Sequence, residues 1–143
     1  MPLKEWIIWP DRQGLGKFLG ELELFLMEII WEWPGEHPVT VKEVHEAALA
    51  RRPLAYTSVL STMTNLVKKG ALCVDKAHFA HRYWPACTRA EFEEQAYGRL
   101  MGQLMKDLSS PVIRHLVGSL EVEDSQLLEA LYEAIQRRRS RGL

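Results

Sequence analysis

Thr57, Ser58, Ser61, Thr62 and Asn65 recur at i, i+1, i+4, i+5 and i+8 within residues 55–70, so on a helix they share one face. Each has a short side chain that both donates and accepts hydrogen bonds. Such a set suits close contact with base edges and phosphates, because nothing long stands between the helix backbone and its partner. Ser, Thr and Asn are weak helix formers, and an ordinary solvent-facing helix would carry Glu, Lys, Gln and Arg instead. Lys68 and Lys69 close the stripe with positive charge, and Gly70 stands where a left-handed cap ends a helix. Val59, Leu60, Met63, Leu66 and Val67 supply the opposite, apolar face. Residues 55 to 70 therefore read as a DNA recognition helix; a polar surface helix of no special use is the plain alternative.

A second group of candidates follows that helix. Ala71-Leu72-Cys73-Val74 and Arg82-Tyr83-Trp84-Pro85 read as two strands, joined by the loop Asp75 to His81. At the tip of such a hairpin Lys76, His78, His81 and Arg82 can meet a phosphate backbone, and the histidines gain charge on acidification. Cys73 and Cys87 flank the two histidines, so a Cys/His metal site is conceivable. Strand positions fourteen apart with no CxxC make inert cysteines and no metal or other cofactor the default. No GxSxG elbow, P-loop or HExxH occurs, and the carboxylates are scattered over helix surfaces, so no catalytic residues are assigned and an enzyme is not expected.

The remaining chain must mount these groups. At 143 residues it can bury one core, or a small domain with a helical appendage. The formal net charge is −1, yet residues 51–89 hold seven Lys/Arg against one Asp/Glu, a local excess of +6 that coincides with the recognition helix and hairpin. Residues 1–18, with Trp6-Ile7-Ile8-Trp9, read as an N-terminal arm that packs on the domain or on a dimer partner. Residues 19–87 read as a winged helix-turn-helix domain. In it Leu22, Phe25, Leu26, Ile29, Ile30 and Trp33 mark a first helix stopped by Pro34-Gly35. The capping box Thr40-Val41-Lys42-Glu43 starts a second, whose Val41, Val44, Ala48 and Leu49 should face inward. Thr40 and Tyr56, at the starts of the second and third helices, are counted with the DNA contacts. The fold class expected is mainly α with a small β-hairpin.

Residues 88–143 read as a helical dimerisation domain with a basic tail. Thr88-Arg89-Ala90-Glu91 is a second capping box, and Phe92, Ala96, Leu100, Leu104 and Leu108 repeat every four residues behind it. Ser110-Pro111 opens a helix bearing Val112, Ile113 and Leu116. A last helix from about Glu123 carries Leu127, Leu131 and Ile135 and ends in Arg137-Arg138-Arg139. Three amphipathic helices without other structure call for a second copy to cover them, so these residues are assigned to a homodimer interface; an intramolecular three-helix bundle is the other outcome. No apolar run approaches the roughly 20 residues that span a bilayer. The start, with Glu5 and Asp11, lacks the form of a signal peptide. A cytoplasmic protein with no membrane partner is expected.

Several stretches, in order and spacing, resemble a known family. They are Leu19-Gly20-Glu21-Leu22-Glu23 with Met27 and Trp31, Val39-Thr40-Val41 with Val44, Ala55-Tyr56-Thr57-Ser58-Val59 with Leu66 and Lys69-Gly70, and Tyr83, Pro85 and Arg89. Over about residues 19 to 136 the chain resembles the winged-helix repressors of penicillinase and methicillin-resistance genes, a family that also includes copper-responsive repressors. The resemblance implies a homodimer on a palindromic double-stranded DNA operator overlapping a promoter, with the C-terminal helices as interface and Thr57, Ser58, Ser61, Thr62 and Asn65 facing DNA. Members often carry Arg where this chain has Leu60 or Ser61, and again at Asn65, so a different operator sequence is expected. Antibiotic-responsive members are cut at an Asn-Phe bond; the matching place here is His115-Leu116, and no Asn-Phe pair occurs in the chain. Copper-responsive members carry a C-terminal Cys-x-Cys, whereas this chain has no cysteine after Cys87. The inducer or sensor protein that releases it is therefore left open. From another class, the rival is a winged helix that docks a protein through its third helix.

Overall fold

The computed structural model describes residues 7–106, 108–119 and 125–141, apart from the side chain of Leu116. In chain order the elements are α1 (Glu21–Trp31), α2 (Val41–Leu49), α3 (Tyr56–Lys69), β1 (Leu72–Asp75), β2 (Arg82–Pro85), α4 (Arg89–Lys106), α5 (Ser110–Gly118) and α6 (Ser125–Arg141). This is the mainly helical fold with one small hairpin that the sequence pattern predicts. The described residues include no helix long and apolar enough to cross a membrane.

Local chemistry sets most element ends. At the start of α1 the Gly20 N–H donates to Glu23 Oε1 at 2.8 Å, and Glu21 and Glu23 place negative charge where the helix dipole favours it. Before α2 the Thr40 N–H donates to Glu43 Oε1 at 3.0 Å, and the Glu43 N–H donates back to Thr40 Oγ1 at 3.2 Å. Thr40→Ala should lower stability by about 1 kcal/mol, read as a shifted urea midpoint with an unchanged slope; an unmoved midpoint would leave the cap without energetic weight. Gly70 ends α3 at φ 86°, a left-handed conformation that admits glycine without strain. There the Ala71 N–H donates to Leu66 O at 2.9 Å and the Gly70 N–H to Val67 O at 3.0 Å, a Schellman ending.

The hairpin pairs Leu72 with Pro85, Cys73 with Trp84, Val74 with Tyr83 and Asp75 with Arg82. Val39 adds a one-residue third strand, exchanging two backbone bonds of 2.8 Å with Tyr83, which fastens the entry to α2 against the wing. Beneath lies a core of Phe18, Leu19, Leu26, Met27, Ile30, Val39, Val44, Val59, Met63, Leu66, Leu72 and Tyr83. On α2, Val41, Val44 and Ala48 are buried as expected, but Leu49 is exposed: one residue past Ala48 the helix has turned by about 100°.

The chain forms two compact units, Met1–Leu100 and Met101–Leu143. The expected boundary at residue 88 falls inside the first. Leu15 and Phe18, at the end of the expected arm, pack into its core, and the Trp9 N–H donates to Lys17 O at 2.8 Å. Phe92 and Ala96, expected at a dimer interface, are fully buried here. The Phe92 ring meets Trp31 at 5.4 Å, and five residues on Tyr97 meets Phe18 at 5.1 Å, both edge-on. Leu100 is half-buried against the same core. The reason is proximity: the first turns of α4 follow the hairpin directly, and the nearest apolar surface is the chain's own.

In the second unit Ser110 and Pro111 open α5 as expected, and α6 runs from Ser125; its expected start near Glu123 lies outside the described residues, as does the side chain of Leu116. Leu104, Val112, Ile113, Leu127, Leu131 and Ile135 are exposed, and Leu108, half-buried, lies beyond the end of α4. Among the described residues of this unit none is buried.

Candidate nucleic-acid interface

Thr57, Leu60, Ser61, Thr64, Asn65 and Lys68 are the exposed face of α3, at i, i+3, i+4, i+7, i+8 and i+11. Val59, Met63 and Leu66 point the other way into the core. Two expectations are corrected. Thr62 is only 7% exposed, because it lies three residues after Val59 and four before Leu66 and so shares their side. Leu60, expected inward, is 39% exposed in the middle of the polar face. Thr64 takes the place assigned to Thr62, and its spacing of seven from Thr57 and three from Ser61 was the signal for it. Ser58 is half-buried beside this face.

The hydroxyls are already oriented. Thr64 Oγ1 donates to Leu60 O at 2.9 Å and Ser61 Oγ to Ser58 O at 3.2 Å, so each turns its lone pairs outward as acceptors. Asn65 makes no side-chain hydrogen bond among the described residues, which leaves its amide free to donate and accept together, as adenine requires. Tyr56, exposed at the first position of α3, stands edge-on to His45 at 5.7 Å. His45 Nε2 lies 2.7 Å from Leu54 O; since a carbonyl only accepts, that nitrogen carries the proton and ties the turn between α2 and α3. Thr40 Oγ1 is engaged twice with Glu43 in the α2 cap, accepting from its N–H and donating to its carboxylate.

Much of the positive block is turned back on the protein. Arg51 reaches Glu32 at 4.0 Å, Arg52 reaches Glu21 at 3.1 Å and Arg89 reaches Glu93 at 3.4 Å. Lys69, expected on DNA, is instead 2.6 Å from Glu23, with both side chains largely covered, and pins the end of α3 to α1. Of the block's cations, Lys68, Lys76 and Arg82 are exposed with no ion-pair partner among the described residues. At the hairpin tip Asp75 Oδ1 accepts the Ala77 N–H at 2.8 Å, its Oδ2 lies 3.8 Å from His78 Nε2, and His81 is exposed.

Burial pushes the Tyr83 hydroxyl up, with Tyr56 adding to it, so Tyr83 is a neutral core group. Burial, then the nearby Glu91 carboxylate, raises the Cys87 thiol, which disfavours the thiolate a metal would need. Cys73 stands opposite Trp84 in the ladder while Cys87 lies beyond β2, and among the described residues no three His, Cys, Asp or Glu gather to hold an ion. Hydrogen bonds from Thr88 lower Glu91; its contribution to the start of α4 is therefore present at neutral pH and is lost as pH falls through that lowered value.

The third helix thus carries an exposed hydroxyl and amide stripe, and a hairpin with exposed Lys76 and Arg82 follows it. Residues 19–137 match the model of the penicillinase repressor family. The chain belongs to the penicillinase repressor family. Over 73 residues it is 42% identical to the transcriptional regulator BlaI of Mycobacterium tuberculosis, in strains CDC 1551 / Oshkosh and ATCC 25618 / H37Rv alike. That stretch is 51% of this chain and 51% of each relative, so the chain spans about half the length of the curated relatives it matches. The penicillinase repressor match covers both α3 and the hairpin, and the two relatives are named as transcriptional regulators.

Proposed function

We propose that the protein is a DNA-binding transcriptional repressor that acts as a homodimer on a twofold-symmetric operator in the cytoplasm. The observation that carries this is the exposed face of α3: Thr57, Ser61, Thr64 and Asn65 offer short hydrogen-bonding groups to base edges, with Lys68 at its end. A protein-docking helix would show a cluster of aromatic or aliphatic anchors there; α3 exposes only Tyr56 at its first position and Leu60 in mid-face, among four hydrogen-bonding residues and Lys68. Leu60 instead suits a thymine methyl, a contact that apolar side chains make in the major groove. The homodimer is supported by the second unit, where Val112, Ile113 and Val117 of α5 and Leu127, Leu128, Leu131 and Ile135 of α6 are exposed in the single chain, as a partner surface would require. Neither the Asn-Phe bond nor the Cys-x-Cys cluster of the family occurs in this sequence, so release by that cut or by that copper cluster is not part of the proposal.

Selection of bound fragments from a random DNA library by the purified protein, at near-physiological salt, tests this. A symmetric motif with half-sites about one helical turn apart is expected; recovery of no motif by a folded dimer would favour protein docking. On the recovered operator Lys68→Ala and Arg82→Ala should each weaken binding to all sequences and lower the salt slope by about one. An unchanged slope would remove that residue from the phosphate contacts.

A further inference from the structure

Resting on the repressor reading above, we propose that Phe79 is an apolar wedge which the hairpin tip carries into a DNA minor groove, against the sugars and a base step. Among the described residues Phe79 is the most exposed large apolar side chain, with its ring wholly in solvent at the tip. Nothing in the hairpin needs it there. The turn is held by the Asp75–Ala77 bond and by the β1–β2 ladder, and burying a phenylalanine elsewhere would stabilise the protein by about 2 kcal/mol.

Charge names the partner. Lys76 and Arg82 bracket the tip without ion-pair partners among the described residues, whereas the acid nearby, Asp75, accepts the Ala77 N–H and lies 3.8 Å from His78 Nε2, which leaves the two cations in excess. The tip therefore seeks an anionic surface. An aromatic ring gains nothing from phosphates themselves, whereas cations on the two phosphate walls of a narrow groove leave a ring between them facing sugars and base edges. The reach is sufficient. The four residues of β1 carry the loop about 13 Å from the end of α3, the loop adds several Å more, and half a helical turn of DNA is about 17 Å. A hairpin leaving a helix seated in the major groove thus meets the adjacent minor groove.

Phe79→Ala, Phe79→Leu and Lys76→Ala are compared with the unaltered protein on the strongest fragment recovered by selection. Because the Phe79 ring is wholly solvent-exposed, melting temperature and far-UV circular dichroism should stay the same. Phe79→Ala should bind about tenfold more weakly with an unchanged salt slope, Phe79→Leu should recover most of that loss, and Lys76→Ala should lower the slope. Placing 2-aminopurine at successive steps beside each half-site should give one step that brightens with the unaltered protein and stays dark with Phe79→Ala. Equal affinity and equal fluorescence for Phe79→Ala would overturn the wedge while leaving the repressor standing. So would loss of binding to phosphatidylglycerol vesicles with operator affinity intact, which would assign the ring to a lipid surface. An unaltered protein that selects no sequence would overturn both readings together.

Discussion

Leu131→Asp is expected to yield monomers that bind the operator about 10² to 10⁴ times more weakly, because linked half-sites gain that much from a shared scaffold. Leu131 lies on α6 between Leu127 and Ile135 and is 46% exposed in the single chain, so the substitution costs the isolated fold little. Within a dimer the same carboxylate would sit desolvated among apolar neighbours, which is strongly unfavourable. Light scattering gives the oligomeric state and titration with whole and half operators gives the affinity. The altered protein should bind both DNAs alike, whereas the unaltered dimer should strongly prefer the whole one. A Leu131→Asp protein that remained dimeric would move the interface off α6.

Phe92→Ala is expected to cost about 3–5 kcal/mol of folding stability, the usual range for emptying a buried aromatic site. Phe92 is fully buried in the first unit and meets Trp31 edge-on at 5.4 Å, so its loss leaves a cavity and an unpartnered indole face. Urea unfolding of the altered protein should shift to a lower midpoint by an amount that does not depend on protein concentration. A residue at an interface between copies would behave otherwise, since its loss would appear on dilution and fade at high concentration. That second pattern would return Phe92 to the dimer contact.

The features legible in the sequence were those written locally. Gly70 and the three-and-four spacing of Val59, Met63 and Leu66 fix α3, and each capping box, Thr40 with Glu43 and Thr88 with Glu91, marks a true helix start. What was not legible depended on distant or adjacent alternatives. Thr62 and Thr64 are both hydroxyl residues, and an apolar template passes over a Thr that completes a buried stripe. The partner of Lys69 lies 46 residues away, where no local pattern can point. A leucine-like repeat every four residues reads the same whether it covers the chain's own core, as Phe92 and Ala96 do, or stands exposed, as Leu104 does. Leu15 and Phe18 sit in a stretch too short and too rich in glycine to show a period.

The acids of α1 have a consequence for the whole cell. Glu21, Glu23 and the capping residue Glu32 hold Arg52, Lys69 and Arg51 against the protein's own surface. A chromosome offers on the order of 10⁶ to 10⁹ competing sites, and attachment to them grows with the number of cations given to phosphates. By keeping three of its cations for itself, the repressor proposed above would cling less to random sequence while the exposed face of α3 is untouched. Fewer copies would then be idle on irrelevant DNA, and a smaller pool per cell would keep one operator filled.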